Sequence, residues 1–223
     1  MATVRRLLLT SLLAGLIGAL APGAVAAAGH DPVLLVHGYR GSPETWVEMK
    51  RFLESQDRTV VAIDLPGEDN VANAKAIANR LKQLQWRSVD LVGQSMGGLS
   101  ARWFAKYVKS AVKVDAYVSI GTPQYGISSA CVLPWTYGGQ MCPSSSFMRD
   151  LNAGDDTPGR AAWMTIYSTD DELVPNSSSR LDGGACFVQV SGPTHNTMDN
   201  DATVMARTLA GIDGSCPGGD FRS

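Results

Sequence analysis

Residues 89–104 read VDLVGQSMGGLSARWF: a short apolar run, then the pattern G-x-S-x-G centred on Ser95, then a segment typical of a helix. In a chain rich in glycine and serine, this five-residue pattern alone is a weak indication of function, because chance matches to it are common. The flanking segments therefore decide its meaning. A serine at a strand-to-helix junction is forced into a sharp turn, and its hydroxyl stands at the positive end of the helix dipole. This stretch therefore predicts a nucleophilic Ser95 at the carboxyl end of a buried strand.

The apolar run before Ser95 is one of several along the chain. Each is short, rich in β-branched residues and nearly continuous in apolar side chains, as expected of strands buried on both faces of a parallel sheet. The predicted strands are residues 32–37, 59–64, 89–93, 116–120, 162–168 and 186–190.

Helical segments separate these strands. Ser42 and Pro43 are a typical N-cap and first helical residue, and residues 70–85 place apolar side chains with the helical period. The predicted helices are residues 43–55, 70–85, 96–109 and 199–210. Strands alternating with helices predict an α/β fold: a doubly wound, mostly parallel sheet of about six strands with helices on both faces.

The first 28 residues have the pattern of a secretory signal peptide. Two arginines at positions 5 and 6 precede an apolar stretch over 7–20, and small residues around Ala26 and Ala28 suit cleavage. A membrane anchor is the alternative, but the apolar core is shorter than the roughly 20 residues that a span needs. We therefore expect a signal peptide over 1–28, one domain over 29–223, and a secreted protein.

The composition fits one globular domain and excludes several partners. The chain has 223 residues, of which 44% are hydrophobic and 18% charged, with a formal net charge of −2. No Lys/Arg-rich run follows the first few residues, so nothing indicates nucleic-acid binding. We expect a monomer whose partner is a small-molecule or lipid substrate.

Four cysteines in an exported chain predict two disulfides, for which three pairings are possible. The closeness in sequence of Cys131 and Cys142 favours pairing these two, with Cys186 then paired to Cys216. The cysteine spacing contains no C-x-x-C, so we predict neither a metal site nor a cofactor.

A serine nucleophile needs a base, and the chain has three histidines. His30 lies next to the predicted cleavage site, and His37 ends the first strand. His195 follows the last strand. In the α/β-hydrolase fold the triad occurs in the order Ser, acid, His, with the last two on loops after later strands. Only His195 satisfies this order.

Three acids in a row, Asp170, Asp171 and Glu172, follow the fifth predicted strand and are candidates to orient the imidazole. On position alone all three remain open. Asp64 and Asp90 flank predicted strands upstream of the Ser95 turn, and we expect them to be structural.

Two backbone N–H groups are candidates to stabilise an oxyanion. Met96 follows the nucleophile, and Tyr39 follows the His37-Gly38 turn at the end of the first strand, which faces Ser95 in this topology. We predict both as donors.

The chain resembles the small secreted bacterial lipases known as class 2 lipases, which have a minimal α/β-hydrolase core. The similarity covers about residues 32–210 and is carried by 32–39 (PVLLVHGY), 92–98 (VGQSMGG), 120–123 (IGTP), 166–174 (IYSTDDELV) and 180–185 (RLDGGA). The resemblance implies ester hydrolysis, and it places the acid three residues after Ser168, which favours Asp171 over Asp170.

The chain departs from that family at two points. Gln94 stands before the nucleophile where such lipases usually have histidine, which leaves the triad intact and affects the shape of the acyl pocket. Residues 195–198 (HNTM) lack the apolar side chains often found there, which weakens the case for a long-chain lipase.

These features predict a secreted carboxylic ester hydrolase, a triacylglycerol lipase or esterase, that forms an acyl-enzyme and contacts lipid interfaces transiently. One alternative keeps the triad and acts on a polyester, thioester or amide, since one fold hosts many chemistries. Another is a catalytically inactive secreted binding protein.

The segment between Cys131 and Cys142 is too apolar for an ordinary loop, owing to Val132, Leu133, Trp135 and Met141. These side chains either pack as a small satellite core or line an acyl-binding wall. A disulfide across the segment favours a fixed rim over a large mobile lid, and hence little interfacial activation.

Overall fold

A single parallel sheet organises the protein, whose computed structural model describes residues 29–218; the predicted signal peptide lies outside them. The strand order is β2-β1-β3-β4-β5-β6. The six predicted strands are confirmed, with bounds β1 Val33–Val36, β2 Val60–Ile63, β3 Ser88–Gln94, β4 Lys113–Ile120, β5 Ala162–Ser168 and β6 Cys186–Val190.

Helices cover both faces of the sheet, as a doubly wound α/β fold requires. They are α1 Val47–Glu54, α2 Asn70–Leu84, α3 Met96–Tyr107, α4 Ser146–Leu151, α5 Asn176–Ser179 and α6 Ala202–Ile212. Buried side chains of α1 and α6 pack on one face of the sheet, and those of α2 and α3 on the other. In the described part of the chain, no helix is long and apolar enough to cross a membrane.

Aspartate caps set the start of two helices. Asp69 accepts hydrogen bonds from the second and third N–H groups of α2, and Asp201 does the same for α6. The predicted fourth helix therefore starts later than expected, because residues 198–200 form a separate 3₁₀ turn ahead of the Asp201 cap. Helix α1 likewise follows a 3₁₀ turn over Pro43–Trp46.

Both predicted disulfides are present. Cys131 pairs with Cys142 at a Cα–Cα distance of 4.6 Å, and Cys186 on β6 pairs with Cys216 beyond α6 at 5.6 Å. None of the four cysteines is free. The first disulfide fixes the long excursion between β4 and β5, and the second holds the C-terminal segment to the edge strand.

Candidate active site

Ser95 occupies a strained turn between β3 and α3. Its backbone has φ 53° and ψ −128°, a conformation that costs a non-glycine residue on the order of 1–3 kcal/mol. The flanking glycines allow the turn to pack closely. A Cβ atom on Gly97 would lie 2.2 Å from the carbonyl oxygen of Val36, and one on Gly93 would lie 2.6 Å from the Cα of Gly98. Only glycine fits at either position, which explains the G-x-S-x-G spacing physically.

The structure brings Ser95, His195 and Asp171 into one hydrogen-bonded line. The Nε2 of His195 lies 2.9 Å from the Oγ of Ser95, and its Nδ1 lies 2.8 Å from the Oδ2 of Asp171. A carboxylate only accepts, so the proton resides on Nδ1 and Nε2 is free to accept from the serine hydroxyl. The His195 and Asp171 side chains are 5% and 1% exposed, whereas Ser95 is half-buried and faces the cavity described below.

The environment of Asp171 favours its charged form. Its other oxygen, Oδ1, accepts hydrogen bonds from the backbone N–H groups of Leu173 and Val174 at 2.9 and 2.8 Å. Burial acts to raise the pKa of Asp171, but the hydrogen bonds from His195, Val174 and Leu173 outweigh it, and the pKa lies below its usual value. The carboxylate can therefore hold the imidazole and stabilise a positive charge on it.

The two neighbouring acids hold the histidine loop, residues 191–196, by its backbone. Asp170 Oδ2 accepts from the N–H of Gly192 at 2.7 Å, and Glu172 Oε2 accepts from the N–H of His195 at 3.1 Å. Sequence reasoning treated both acids only as alternatives to Asp171 or as solvated charges, and it missed these contacts. Since their partners are backbone groups about twenty residues away, no sequence motif marks them.

Gln94 also contacts the histidine loop. Its buried side-chain amide Nε2 donates to the carbonyl oxygen of His195 at 3.2 Å. Gln94, which departs from the class 2 lipase pattern, thus binds the backbone of the candidate base. The backbone of His195 is held on both sides, by Glu172 at its N–H and by Gln94 at its carbonyl.

His37 stabilises the turn that faces Ser95. Its Nε2 accepts from the N–H of Leu65 at 3.2 Å, which leaves the proton on Nδ1, and Nδ1 donates to the Gly38 carbonyl at 3.0 Å. The turn is so close to Ser95 that a Cβ on Gly38 would lie 2.9 Å from the Cβ of Ser95. His37 is therefore engaged in structure and is unavailable as a base.

The two predicted oxyanion donors lie near Ser95. Met96 begins α3, where the first N–H groups of a helix have no partner within the helix. Tyr39 follows the Gly38 turn and lines the same cavity as Ser95. Their role as donors stays a prediction.

A cavity of about 300 Å³ opens beside Ser95 and His195. Its apolar wall comes from the disulfide-bridged excursion between β4 and β5 and from the loop after β5, and consists of Ile127, Ala130, Leu133, Met141, Leu173 and Val174. Leu133 and Met141 also pack with a small cluster beneath the cavity, whereas Val132 and Trp135 are 87% and 46% exposed. Leu133 and Met141 therefore both pack in a small satellite core and line the cavity wall, whereas Val132 and Trp135 do neither.

Comparison with known sequences agrees with this geometry. The profile of the Alpha/beta hydrolase family matches residues 33–210. A triacylglycerol lipase from Burkholderia plantarii is 31% identical over 218 residues, an alignment that covers 88% of this chain and 50% of the relative. The chain thus spans about half the length of that lipase.

Solved structures share the fold at lower identity. Aspergillus fumigatus lipase B superimposes with a TM-score of 0.70 at 24% identity, covering 86% of this chain and 54% of that one. The mature form of Bacillus licheniformis lipase BlEst2 gives 0.71 at 16% identity, covering 86% of this chain and 96% of that one. With the family profile spanning the whole sheet, from β1 into α6, the chain belongs to the alpha/beta hydrolase family.

Proposed function

We propose that the protein is a serine carboxylic ester hydrolase, a lipase or esterase of the class 2 lipase type. The observation that carries the proposal is the line of contacts at 2.9 and 2.8 Å from Ser95 through His195 to Asp171, at the end of an apolar cavity. The similarity to a triacylglycerol lipase supports the same reaction class.

In the proposed reaction, Ser95 Oγ attacks the ester carbonyl carbon while His195 Nε2 takes the hydroxyl proton. The N–H groups of Met96 and Tyr39 bind the oxyanion, and Asp171 stabilises the imidazolium. The C–O bond to the alcohol then breaks, and the alcohol leaves with the proton from His195. Water adds to the acyl-enzyme with His195 again as base, which releases the acid and regenerates Ser95. The chain supplies every catalytic group in this cycle, and the ester and water are the reactants.

The cavity wall favours an acyl group over a polar substituent. Leu133, Met141 and Val174 offer apolar contact next to Ser95. The polar side chains that line the space are those of Tyr39, Gln94, Ser95, Ser129, His195 and Asn196. Leu173 lines the cavity and is exposed, as is Trp135 between the two cysteines of the first disulfide, and both support transient contact with a lipid interface. The two disulfides and the N-terminal pattern support secretion, with residues 1–28 as signal peptide and one domain from residue 29.

A panel of p-nitrophenyl esters tests this proposal. We expect kcat/KM to rise from acetyl to butyryl by about fourfold per methylene, the value of burying one CH₂ group, and to stop rising once the acyl chain outgrows the cavity. Matched thioesters and anilides are included. Turnover of an anilide or thioester without turnover of any ester would favour the amide or thioester alternative. No turnover of any substrate would favour the inactive binding protein.

The disulfide-bridged excursion between β4 and β5 predicts little interfacial activation. Since the disulfide between Cys131 and Cys142 fixes the segment that borders the cavity, we expect no large lid to cover Ser95 in water. The rate of tributyrin hydrolysis should rise smoothly through its solubility limit. A sharp increase at that limit would show a mobile lid and contradict this account.

A further inference from the structure

Three aspartates meet at the amino edge of the sheet, the edge opposite Ser95. Asp31 precedes β1, Asp90 lies in β3 and Asp115 lies in β4. One carboxylate oxygen from each residue lies within 4.8 Å of the other two. Three carboxylates so close together repel one another unless protons or a cation neutralise them.

The backbone brings these residues together in a specific way. Across β3 and β4, Val89 pairs with Val114 but Asp90 pairs with Ala116, so Asp115 is an extra, unpaired residue in β4. Such a bulge changes the direction of a side chain and is a frequent feature beside functional sites. The N–H of Asp90 donates to the carbonyl of Pro32 at 2.9 Å, which places the neighbouring Asp31 alongside.

Asp90 is the unusual member of the group. It is only 2% exposed, it lies between the fully buried Val89 and Leu91, and its Oδ1 has no hydrogen-bond partner. A buried, unpartnered carboxylate oxygen is costly and is retained where something binds it. Asp90 also lines an open cavity of about 570 Å³ together with Asp31 and Asp115.

Basic side chains near the cluster offset part of its negative charge, since Arg58 and Arg160 line the same cavity. Arg58 shares the cavity but forms an ion pair with Asp213, and Lys113 forms one with Asp115 at the exposed side of the cluster. The Ser88 hydroxyl donates to Asp31. Among the described residues, neither Asp31 nor Asp90 forms an ion pair, so these two carboxylates have no direct counter-charge.

We propose that Asp31, Asp90 and Asp115 bind a divalent cation, with calcium as the ion whose chemistry fits best. All the side-chain donors are hard oxygens. Because Ca–O distances are about 2.3–2.6 Å, two ligands of one calcium ion lie at most about 5 Å apart, and the spread of these oxygens is within that limit. Magnesium, at about 2.1 Å, would need a tighter arrangement. Water in the open cavity can complete the coordination.

Bound calcium would cross-link the segment before β1 to two central strands, far from the triad. With three protein ligands we expect a Kd of about 10⁻⁴–10⁻³ M, the range of extracellular calcium modules. The expected consequence is higher stability with unchanged ester hydrolysis.

Thermal unfolding of the purified protein tests the proposal directly. At pH 8, about 10 mM CaCl₂ should raise Tm by roughly 3–10 °C over EDTA at matched ionic strength, as expected for a ligand at 10 to 100 times its Kd. Calorimetric titration with CaCl₂ should give the same Kd. Equal Tm values in EDTA and calcium would overturn the proposal.

Three variants locate the effect. Asp90→Asn and Asp115→Asn should each lose the calcium-dependent rise in Tm, whereas Asp64→Asn, the same change at an exposed aspartate after β2, should keep it. If Asp90→Asn does not fold, the half-buried Asp115 decides the result, and a full calcium response in Asp115→Asn would overturn the proposal. Mass spectrometry of the N-terminus completes the test. If the mature protein begins at Gly29 and its Tm does not respond to calcium, its α-ammonium group lies at this cluster in place of a metal ion, and the proposal is wrong.

Discussion

Ser95→Ala is expected to lower kcat for ester hydrolysis by about 10⁴–10⁶-fold, because it removes the atom that forms the acyl-enzyme. The residual rate would come from substrate binding and the oxyanion donors. Stability should change little: alanine can occupy the same backbone conformation, and among the described residues the Ser95 side chain hydrogen-bonds only to His195. The measurements are kcat on a butyryl ester and Tm for both proteins.

Ser129 provides the matched control, since its exposed hydroxyl lines the same cavity and contacts neither His195 nor Asp171. Ser129→Ala should retain kcat within about twofold, because this exposed hydroxyl takes no part in the contacts among Ser95, His195 and Asp171. Activity of Ser95→Ala within tenfold of the unaltered protein would contradict the assignment of the nucleophile.

Asp171→Asn is expected to lower kcat by about 10³–10⁴-fold, while KM changes little. The amide can donate to Nδ1 of His195, which favours the tautomer with the proton on Nε2, and that nitrogen then cannot accept from Ser95. The charge that stabilises the imidazolium is also lost. The hydrogen bonds from Leu173 and Val174 can still be accepted by the amide oxygen, so the fold should persist.

Asp170→Asn is the internal control for this prediction. Asp170 accepts from the N–H of Gly192, and an asparagine oxygen can accept the same bond, so we expect a loss of kcat below about tenfold. Glu172→Gln should behave similarly, because its contact is to the backbone N–H of His195. If Asp170→Asn proved the more damaging variant, the assignment of the orienting acid would be wrong by one residue.

Much of the fold could be predicted because its signals are local. Strands buried on both faces give continuous apolar runs, and the Ser95 turn needs glycine wherever backbone passes within van der Waals contact. His195 followed by elimination from chain order. The disulfide pairing followed from the sequence separation of Cys131 and Cys142.

The rest depended on contacts that no local pattern encodes. The bonds from Gln94 and Glu172 to the backbone of His195 join side chains to main-chain groups remote in sequence. Helix α4 lies in the excursion between β4 and β5, and α5 follows the loop that carries Asp171. Both helices are too short to show the helical period in the sequence. The closeness of Asp90 to Asp115 could not be predicted either, because nothing in the sequence reveals the bulge in β4 that brings the two carboxylates together.

Covalent labelling probes the proposed nucleophile itself. A fluorophosphonate reacts at phosphorus with an activated serine, expels fluoride, and leaves a stable adduct that peptide mapping can locate. We predict one equivalent of label on Ser95, none on Ser95→Ala, and strongly slowed labelling of His195→Ala, because the base that activates the hydroxyl at 2.9 Å is gone. Stoichiometric label on another residue, or no label on a folded protein, would contradict the proposed serine hydrolase.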